Sequence, residues 1–358
     1  MNVNRILVFA ALALLVAPAT GHTQGFAGLG EAVTENFSQP EPNPEFNFPE
    51  DHGAHPSYRI EWWYLTSNLR GDDGKEYGIQ WTLFRSALAP SQTAGWSSPQ
   101  IWMGHAGLTT PDNHFVSETF ARDGIGQAGV STEPFVAFID DWEMRSTALD
   151  GADSLSALAL RARGREFTYA LNLSAQGPLV FQGDRGFSVK SESGQASYYY
   201  SQPFYQVSGQ LQLPDGPVNV AGSAWLDREW SSQPLEEDQA GWDWFSLHLN
   251  TDERVMGFRL RSTVGNDYTA ATWISPTGEA TPLPNGAFQI TPLKSTEVAG
   301  RMVPTEWRVQ IPSYELDIQT TPLNPQSWMG TLFPYWEGPI LIEGSHSGRG
   351  YLEMTGYN

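Results

Sequence analysis

Residues 225–230 read Trp225-Leu226-Asp227-Arg228-Glu229-Trp230, and after a short Ser/Pro/acidic connection residues 241–245 read Gly241-Trp242-Asp243-Trp244-Phe245. Successive side chains of a strand point to opposite sides, so a β reading puts Trp225, Asp227 and Glu229 on one face. A carboxyl group walled by indoles loses water and its pKa rises. That environment suits an acid kept protonated at neutral pH beside an apolar, electron-rich substrate. The competing reading is a β core in which tryptophans pack for burial and an Asp–Arg ion pair flanks them.

Outward from this cluster the chain keeps the same character. It has 13% aromatic residues, 35 Gly and 25 Pro, a composition that points to an all-β fold. Runs with strand composition occur at 59–69, 76–86, 100–109, 135–144, 156–162 and 166–174. Turn signals separate them, at Gly71-Asp72-Asp73-Gly74, Pro111-Asp112-Asn113, Asp150-Gly151 and Pro214-Asp215-Gly216-Pro217. Short strands at regular spacing predict barrels or sandwiches.

The pattern also repeats. Glu61-Trp62-Trp63-Tyr64 followed by Trp81-Thr82-Leu83-Phe84-Arg85-Ser86 is echoed by Asp243-Trp244-Phe245-Ser246 followed by Phe258-Arg259-Leu260-Arg261-Ser262. Glu166-Phe167-Thr168-Tyr169 parallels Glu306-Trp307-Arg308-Val309, and Tyr199-Tyr200-Ser201-Gln202-Pro203 parallels Tyr335-Trp336-Glu337-Gly338-Pro339. The shared order indicates a duplicated β domain. The tryptophan-rich cluster falls where the first copy ends, and a domain junction is a common place for a small-molecule cleft.

The first residues carry Asn2 and Arg5, an apolar run over 6–16, and Ala17-Pro18-Ala19. This predicts a signal peptide over residues 1–19, cleaved after Ala19, and a periplasmic or secreted protein. An extended Pro- and acid-rich arm over 20–49 is expected next, then one β domain over 50–230 and a second over 231–358. No later apolar run reaches spanning length, so no stable membrane insertion of the mature chain is expected. There is no Cys, which excludes disulfides, a thiol nucleophile and Cys-based metal sites. The formal net charge of -20 repels polyanions, so nucleic acid is excluded as a partner.

Several pieces resemble the family of bacterial carotenoid 1,2-hydratases and AttH-type predicted secreted hydrolases. They are Glu61-Trp62-Trp63-Tyr64 with 78–85, His105-Ala106, Asp140-Asp141-Trp142, Ala224 through Trp230, Gly241 through Phe245, and Gly348 through Tyr357. The resemblance covers about residues 50–358 and implies two lipocalin-like β-barrel domains packed side by side, with a ligand site near their junction. It further implies an apolar small-molecule ligand, an isoprenoid among the candidates. The carotenoid hydratases carry a His near the acidic cluster where this chain has Arg228, so only Asp227 and the tryptophans carry over by position.

Hydration of an unactivated alkene requires protonation of carbon, aromatic faces for the cation and a controlled water. On this basis Asp227, Glu229 and Asp243 are the candidate catalytic carboxylates, with Asp227 as proton donor. Trp225, Trp230, Trp242, Trp244, Trp63, Tyr64 and His105 are the candidate ligand-binding residues. Glu61 and Asp243 recur at equivalent places in the two copies, which equally suits a structural role. No cofactor is implied, and no metal: His52-Gly53-Ala54-His55 lies in a loop with no helix to align it. Gly344-Ser345-His346-Ser347-Gly348 has His where a hydrolase elbow needs Ser. Gly124-Ile125-Gly126-Gln127-Ala128-Gly129 matches a dinucleotide fingerprint in letters only and reads as a loop. The alternative function is a non-catalytic periplasmic carrier of a lipid-like ligand, in which the tryptophans only line a pocket.

Overall fold

The structure, a computed structural model, describes residues 36–357 apart from 92, 94, 234 and 237. The expected signal peptide and the start of the arm lie outside the described residues. The first sheet holds β1 (Ile60–Gly71), β2 (Glu76–Ala87), β3 (Gln100–Thr109), β4 (His114–Arg122), β5 (Ala128–Thr132), β6 (Phe135–Ile139) and β7 (Trp142–Ser146). It continues through β8 (Ala157–Arg163), β9 (Thr168–Ala175), β10 (Val180–Phe181), β11 (Phe187–Val189), β12 (Ala196–Leu213) and β13 (Gly216–Ser231). The main path runs β4-β3-β2-β1-β13-β12-β9-β8-β7-β6-β5 and is antiparallel throughout. Its two ends curl toward each other into a nearly closed barrel. Thr119 of β4 donates a 2.7 Å hydrogen bond to Asp140 in the β6–β7 turn.

The second sheet holds β14 (Gln239–Leu249), β15 (Arg254–Ser262), β16 (Tyr268–Ile274), β17 (Ala280–Leu283), β18 (Gln289–Val298), β19 (Arg301–Ile311), β20 (Leu316–Pro322), β21 (Trp328–Met329), β22 (Tyr335–Gly344) and β23 (Gly348–Met354). Its order, β17-β16-β15-β14-β23-β22-β20-β19-β18, makes a half-barrel beside the first. The protein is thus all-β, with two lipocalin-like units side by side.

Three local expectations change. The run 135–144 is two strands, because Asp140 takes a left-handed φ of 52° and turns the chain between β6 and β7. Strands β4 and β5 were not legible as strands. The stretch from residue 36 to the short 3-10 turn Glu50–His52 has no regular structure, yet it packs on the first barrel: Phe46 meets Trp230 edge to face at 5.8 Å between ring centres, and Phe48 stacks on His52 at 4.5 Å. Residues 124–127 form a turn that feeds β5, with no helix.

Alternation along the strands explains the repeat. On β1, Glu61 and Trp63 face the barrel interior while Trp62 and Tyr64 face the second sheet; on β14, Asp243 and Phe245 face inward while Trp242 and Trp244 face the first sheet. Each inward acid meets an arginine opposite it in the neighbouring strand, Arg85 for Glu61 and Arg259 for Asp243. Glu61 also binds Arg228 at 3.2 Å and accepts hydrogen bonds from the His55 backbone amide at 2.8 Å and the His55 ring at 3.0 Å. Burial alone would raise the Glu61 pKa, but Arg85, His55 and Arg228 outweigh it and hold the carboxyl well below the ordinary range. The guanidinium of Arg228 lies 3.9 Å from the Trp63 ring centre and donates to the carbonyls of Trp62 and Gly53 at 2.8 and 2.6 Å. It is therefore committed to the barrel interior, and no Asp227–Arg228 pair forms.

The units meet over Tyr64, Tyr199, Phe204, Trp225, Trp244 and Phe258 with their neighbours. Gly78 of β2 is the point of close approach: a Cβ there would come within 2.5 Å of Pro339 Cγ on β22. Removing one partner of a buried ion pair strands the other, so Glu61→Ala is expected to lower the unfolding free energy by about 3–5 kcal/mol, read from urea unfolding midpoints.

Candidate active site

Between the two sheets lies a cavity of about 140 Å³. Its walls are Trp62, Tyr64, Phe84 and Tyr199 on one side and Trp242, Trp244, Phe258 and Tyr335 on the other. The half-buried Gln195, Gln233 and Leu235 lie at its rim. Three carboxyl groups enter it: Asp227 and Glu229 from β13 and Glu353 from β23. The pairing is two-fold in character. Glu229 lies opposite Trp62 in the first sheet, and Glu353 lies opposite Trp244 in the second.

Asp227 is fixed by three neighbours. Its Oδ1 accepts from the Trp225 indole at 2.6 Å and from Ser201 at 2.5 Å, and its Oδ2 from the Tyr199 hydroxyl at 2.7 Å. Tyr199 in turn accepts from the Trp244 indole at 3.1 Å, which ties the acid on one sheet to an aromatic on the other. Burial pushes the Asp227 carboxyl up to about 7, against the opposing pull of the Ser201, Tyr199 and Trp225 hydrogen bonds. Glu353 accepts from the Trp242 indole at 2.6 Å. Burial also raises it to about 7; hydrogen bonds from Trp242 and Tyr64 oppose the rise, and the charges of Asp227 and Glu229 add to it. Behind the wall, Glu337 is fully buried and accepts a short hydrogen bond from Tyr64; burial and the neighbouring Glu353 push it well above the ordinary carboxyl range. Glu229 differs in being paired, with Lys190 Nζ at 2.7 Å. That ammonium also sits 4.3 Å from the Phe258 ring centre.

The other expected site residues lie elsewhere. Asp243 takes Arg259, Arg261 and the Tyr357 hydroxyl at 2.7, 2.5 and 2.9 Å inside the second unit and does not reach the cavity. Trp63 is sealed in the first barrel, donating to the His52 carbonyl at 2.9 Å. Trp230 is there too, stacked on His55 with 4.0 Å between ring centres. All three fall on the wrong parity of their strands. Trp225 stands behind Asp227 as its hydrogen-bond donor, and His105 stands behind Tyr335, whose hydroxyl lies 3.0 Å from its Nδ1. Trp62, Tyr199, Lys190 and Glu353 were not singled out. For Trp62 the signal was present, since it is one step from Trp63 and on the face of Tyr64. His52 and His55 join separate networks, with Tyr200 and Asp153 for one and Glu61 and Asp51 for the other. Among the described residues no group of three or more His, Cys, Asp or Glu is placed to hold a metal ion.

A largely aromatic cavity at the seam of two lipocalin-like units, with carboxyls of raised pKa on facing walls, has the make-up of a small-molecule site. Residues 39–357 match the AttH-like family model, and the chain belongs to that family. An AttH structure from Nitrosomonas europaea is 33% identical, with a TM-score of 0.80, covering 90% of this chain and 99% of its own. Kievitone hydratase from Nectria haematococca is 17% identical with a TM-score of 0.68, covering 90% of this chain and 97% of its own. No curated protein sequence matches the chain.

The raised carboxyls have a measurable cost. The folded Asp227 binds its proton up to about pH 7, the unfolded one only to about its ordinary 3.8. Between those values the folded state holds more protons, so this group's contribution to stability falls as pH rises and levels off above 7. Asp227→Asn removes that fall. Its urea midpoint should gain on the unsubstituted protein from pH 5 to pH 8, by on the order of 2–4 kcal/mol at the upper end.

Proposed function

We propose that this protein is a periplasmic or secreted enzyme that adds water to a carbon–carbon double bond of an apolar, isoprenoid-type ligand. The observation that carries the reading is the pair of carboxyls raised to about 7 on facing walls of one aromatic cavity. Asp227 in its neutral form donates its proton to one alkene carbon. The cation that results on the neighbouring carbon lies among Trp62, Trp242 and Trp244, whose ring faces stabilise positive charge. Glu353 in its ionised form takes a proton from the attacking water, whose oxygen closes the bond to the cationic carbon. Each turnover moves one proton from Asp227 to the ligand and one from water to Glu353, and uptake of a proton by Asp227 with release of one from Glu353, by exchange with solvent, restores the starting state.

Cavity size supports a small reacting group. An apolar cavity of about 150 Å³ accommodates benzene, so about 140 Å³ suits one branched five-carbon unit, with the remainder of the ligand at the rim. One protein of this fold is a hydratase by name, which agrees with water addition on this architecture. The carrier alternative is weaker because Asp227 faces the cavity and is held by Trp225, Ser201 and Tyr199, with no arginine partner among the described residues. Export is part of the proposal and rests on the sequence of residues 1–19. N-terminal sequencing of the mature protein should begin at Thr20.

With a prenylated aromatic or a short polyene as substrate, Asp227→Asn is expected to lower turnover by about 10²–10⁴-fold, the range for one acid-base group, while ligand affinity measured by tryptophan fluorescence stays within a few-fold. Because the working form needs Asp227 protonated and Glu353 ionised, the pH profile should be a narrow bell centred near 7. It loses activity on the acid side as Glu353 takes up a proton and on the alkaline side as Asp227 loses its own. Unchanged turnover in the Asn variant would end the assignment. Binding of apolar ligands with no product from any of them would favour the carrier.

A further inference from the structure

The two walls of the cavity offer a ligand different things. On the wall built by β14 and β15 the lining side chains are Trp242, Trp244, Phe258 and Leu260. Both of its indole N–H groups are already donated, to Glu353 at 2.6 Å and to the Tyr199 hydroxyl at 3.1 Å. The wall built by β12 and β13 turns polar from Asp227 toward the rim. Glu229 and Ser231 follow Asp227 on the same face of β13, Ser197 lines the cavity from β12, and Gln233 stands at the mouth. Lys190 completes this end, with its Nζ 2.7 Å from Glu229 Oε1 and 4.3 and 4.9 Å from the Phe258 and Tyr199 ring centres. Ser197 Oγ donates a short hydrogen bond to the same oxygen of Glu229. Glu229 Oε2 therefore accepts no hydrogen bond among the described residues, on a residue that lines the cavity.

We propose that the Lys190–Glu229 pair is a head-group site for a hydroxyl of the ligand, and that the substrate carries this hydroxyl about 7 Å from its reacting double bond. The proposal rests on the reading of Asp227 as the proton donor. Asp227 and Glu229 are two residues apart on one strand face, a separation of about 7 Å along β13. A strand advances three backbone bonds per residue, so two residues match six bonds of any extended chain. A hydroxyl held at Glu229 thus delivers to Asp227 an alkene carbon six bonds away.

The charges of the pair select the head group. A carboxylate head would meet Glu229, and an ammonium head would meet Lys190. A neutral hydroxyl suits both at once, because it accepts from one N–H of the ammonium and donates to Glu229 Oε2. A ligand with no polar group would instead cover the pair with hydrocarbon and strip its water without replacing the lost hydrogen bonds. The aromatic wall opposite then holds the hydrocarbon part, with the five-carbon end inward beside Asp227 and the oxygen toward the rim. Orientation follows from the same arrangement, since the tail-first pose alone brings the alkene to Asp227 while the hydroxyl is bonded.

The test is a binding measurement with two probes, read by tryptophan fluorescence. One probe is geraniol, whose distal double bond begins six bonds from its oxygen; the other is the same hydrocarbon with hydrogen in place of the hydroxyl. The unsubstituted protein is expected to bind geraniol about tenfold or more tightly than the hydrocarbon, the range for a hydrogen bond to a charged group. In the double variant Lys190→Met with Glu229→Gln, which removes both charges together, that preference should vanish while hydrocarbon affinity stays within a few-fold. A melting midpoint close to that of the unsubstituted protein establishes that the variant is folded. Should it not fold, Lys190→Gln, at a side chain 20% exposed, is read against the same probes and should lose the preference severalfold. Equal affinity for the two probes in the unsubstituted protein, or a preference that survives in the folded variant, overturns the head-group site. Failure of geraniol to bind overturns it as well. Product formed from both probes without selectivity overturns the site and leaves water addition standing, whereas selective binding with no product supports the site and counts against water addition.

Discussion

A strand can give each side chain to only one of its two sides, and in this protein both sides of the central strands are in use. β1, β13, β14 and β23 are buried on an inner face by the interior of their own unit and on an outer face by the neighbouring unit. Odd and even positions therefore have different duties. Glu61, Trp63, Arg228 and Trp230 build the first interior, while Trp62, Tyr64, Asp227 and Glu229 build the seam. A slip of one residue anywhere in this pairing would exchange an ion-paired acid for one that faces the seam.

The two kinds of buried acid show how differently the fold treats a carboxylate. Glu61 and Asp243 are given arginines, and the charges around Glu61 hold it in its ionised form. Asp227, Glu353 and Glu337 are given indoles and phenols, and burial drives them toward the neutral form. Hydroxyl and indole donors orient a carboxyl without supplying a compensating charge, so geometry is fixed while the proton stays on. Among the described residues that line the cavity Lys190 is the one cation, and Glu229 holds it.

The sequence made much of this legible. Turn signals and aromatic composition located β1, β2, β3, β8 and β9 and the β6–β7 stretch, the ordered repeat anticipated two β units, and the cluster at 225–245 pointed at the seam. The repeated acids had two possible roles on paper, and their arginine partners, Arg85 and Arg259, were already visible in the matched segments. Illegible was whatever depended on parity across a register. Trp62 against Trp63, and Glu229 against Trp230, cannot be sorted until it is known which face meets which unit. Glu353 and Tyr335 were hidden for a further reason: they come to the cavity from the second unit, over a hundred residues along the chain from Asp227, and nothing local to Gly350-Tyr351-Leu352-Glu353-Met354 marks its acid as different from any other. The strand β4, half-buried along most of its length, lacked the clean alternation that betrays a strand.

The close contact of Gly78 with Pro339 has a meaning beyond packing. It fixes how near the two units stand, and that spacing sets how much water shares the seam with Asp227 and Glu353. Since desolvation is the leading cause of both raised pKa values, the separation of the units acts as the dial of their acidity. A side chain at residue 78 would wedge the seam open, admit water, and return the carboxyls toward ordinary values. Such a protein could retain both folded halves and still have lost the acid, so acidity here belongs to the fit between the units and to neither unit alone.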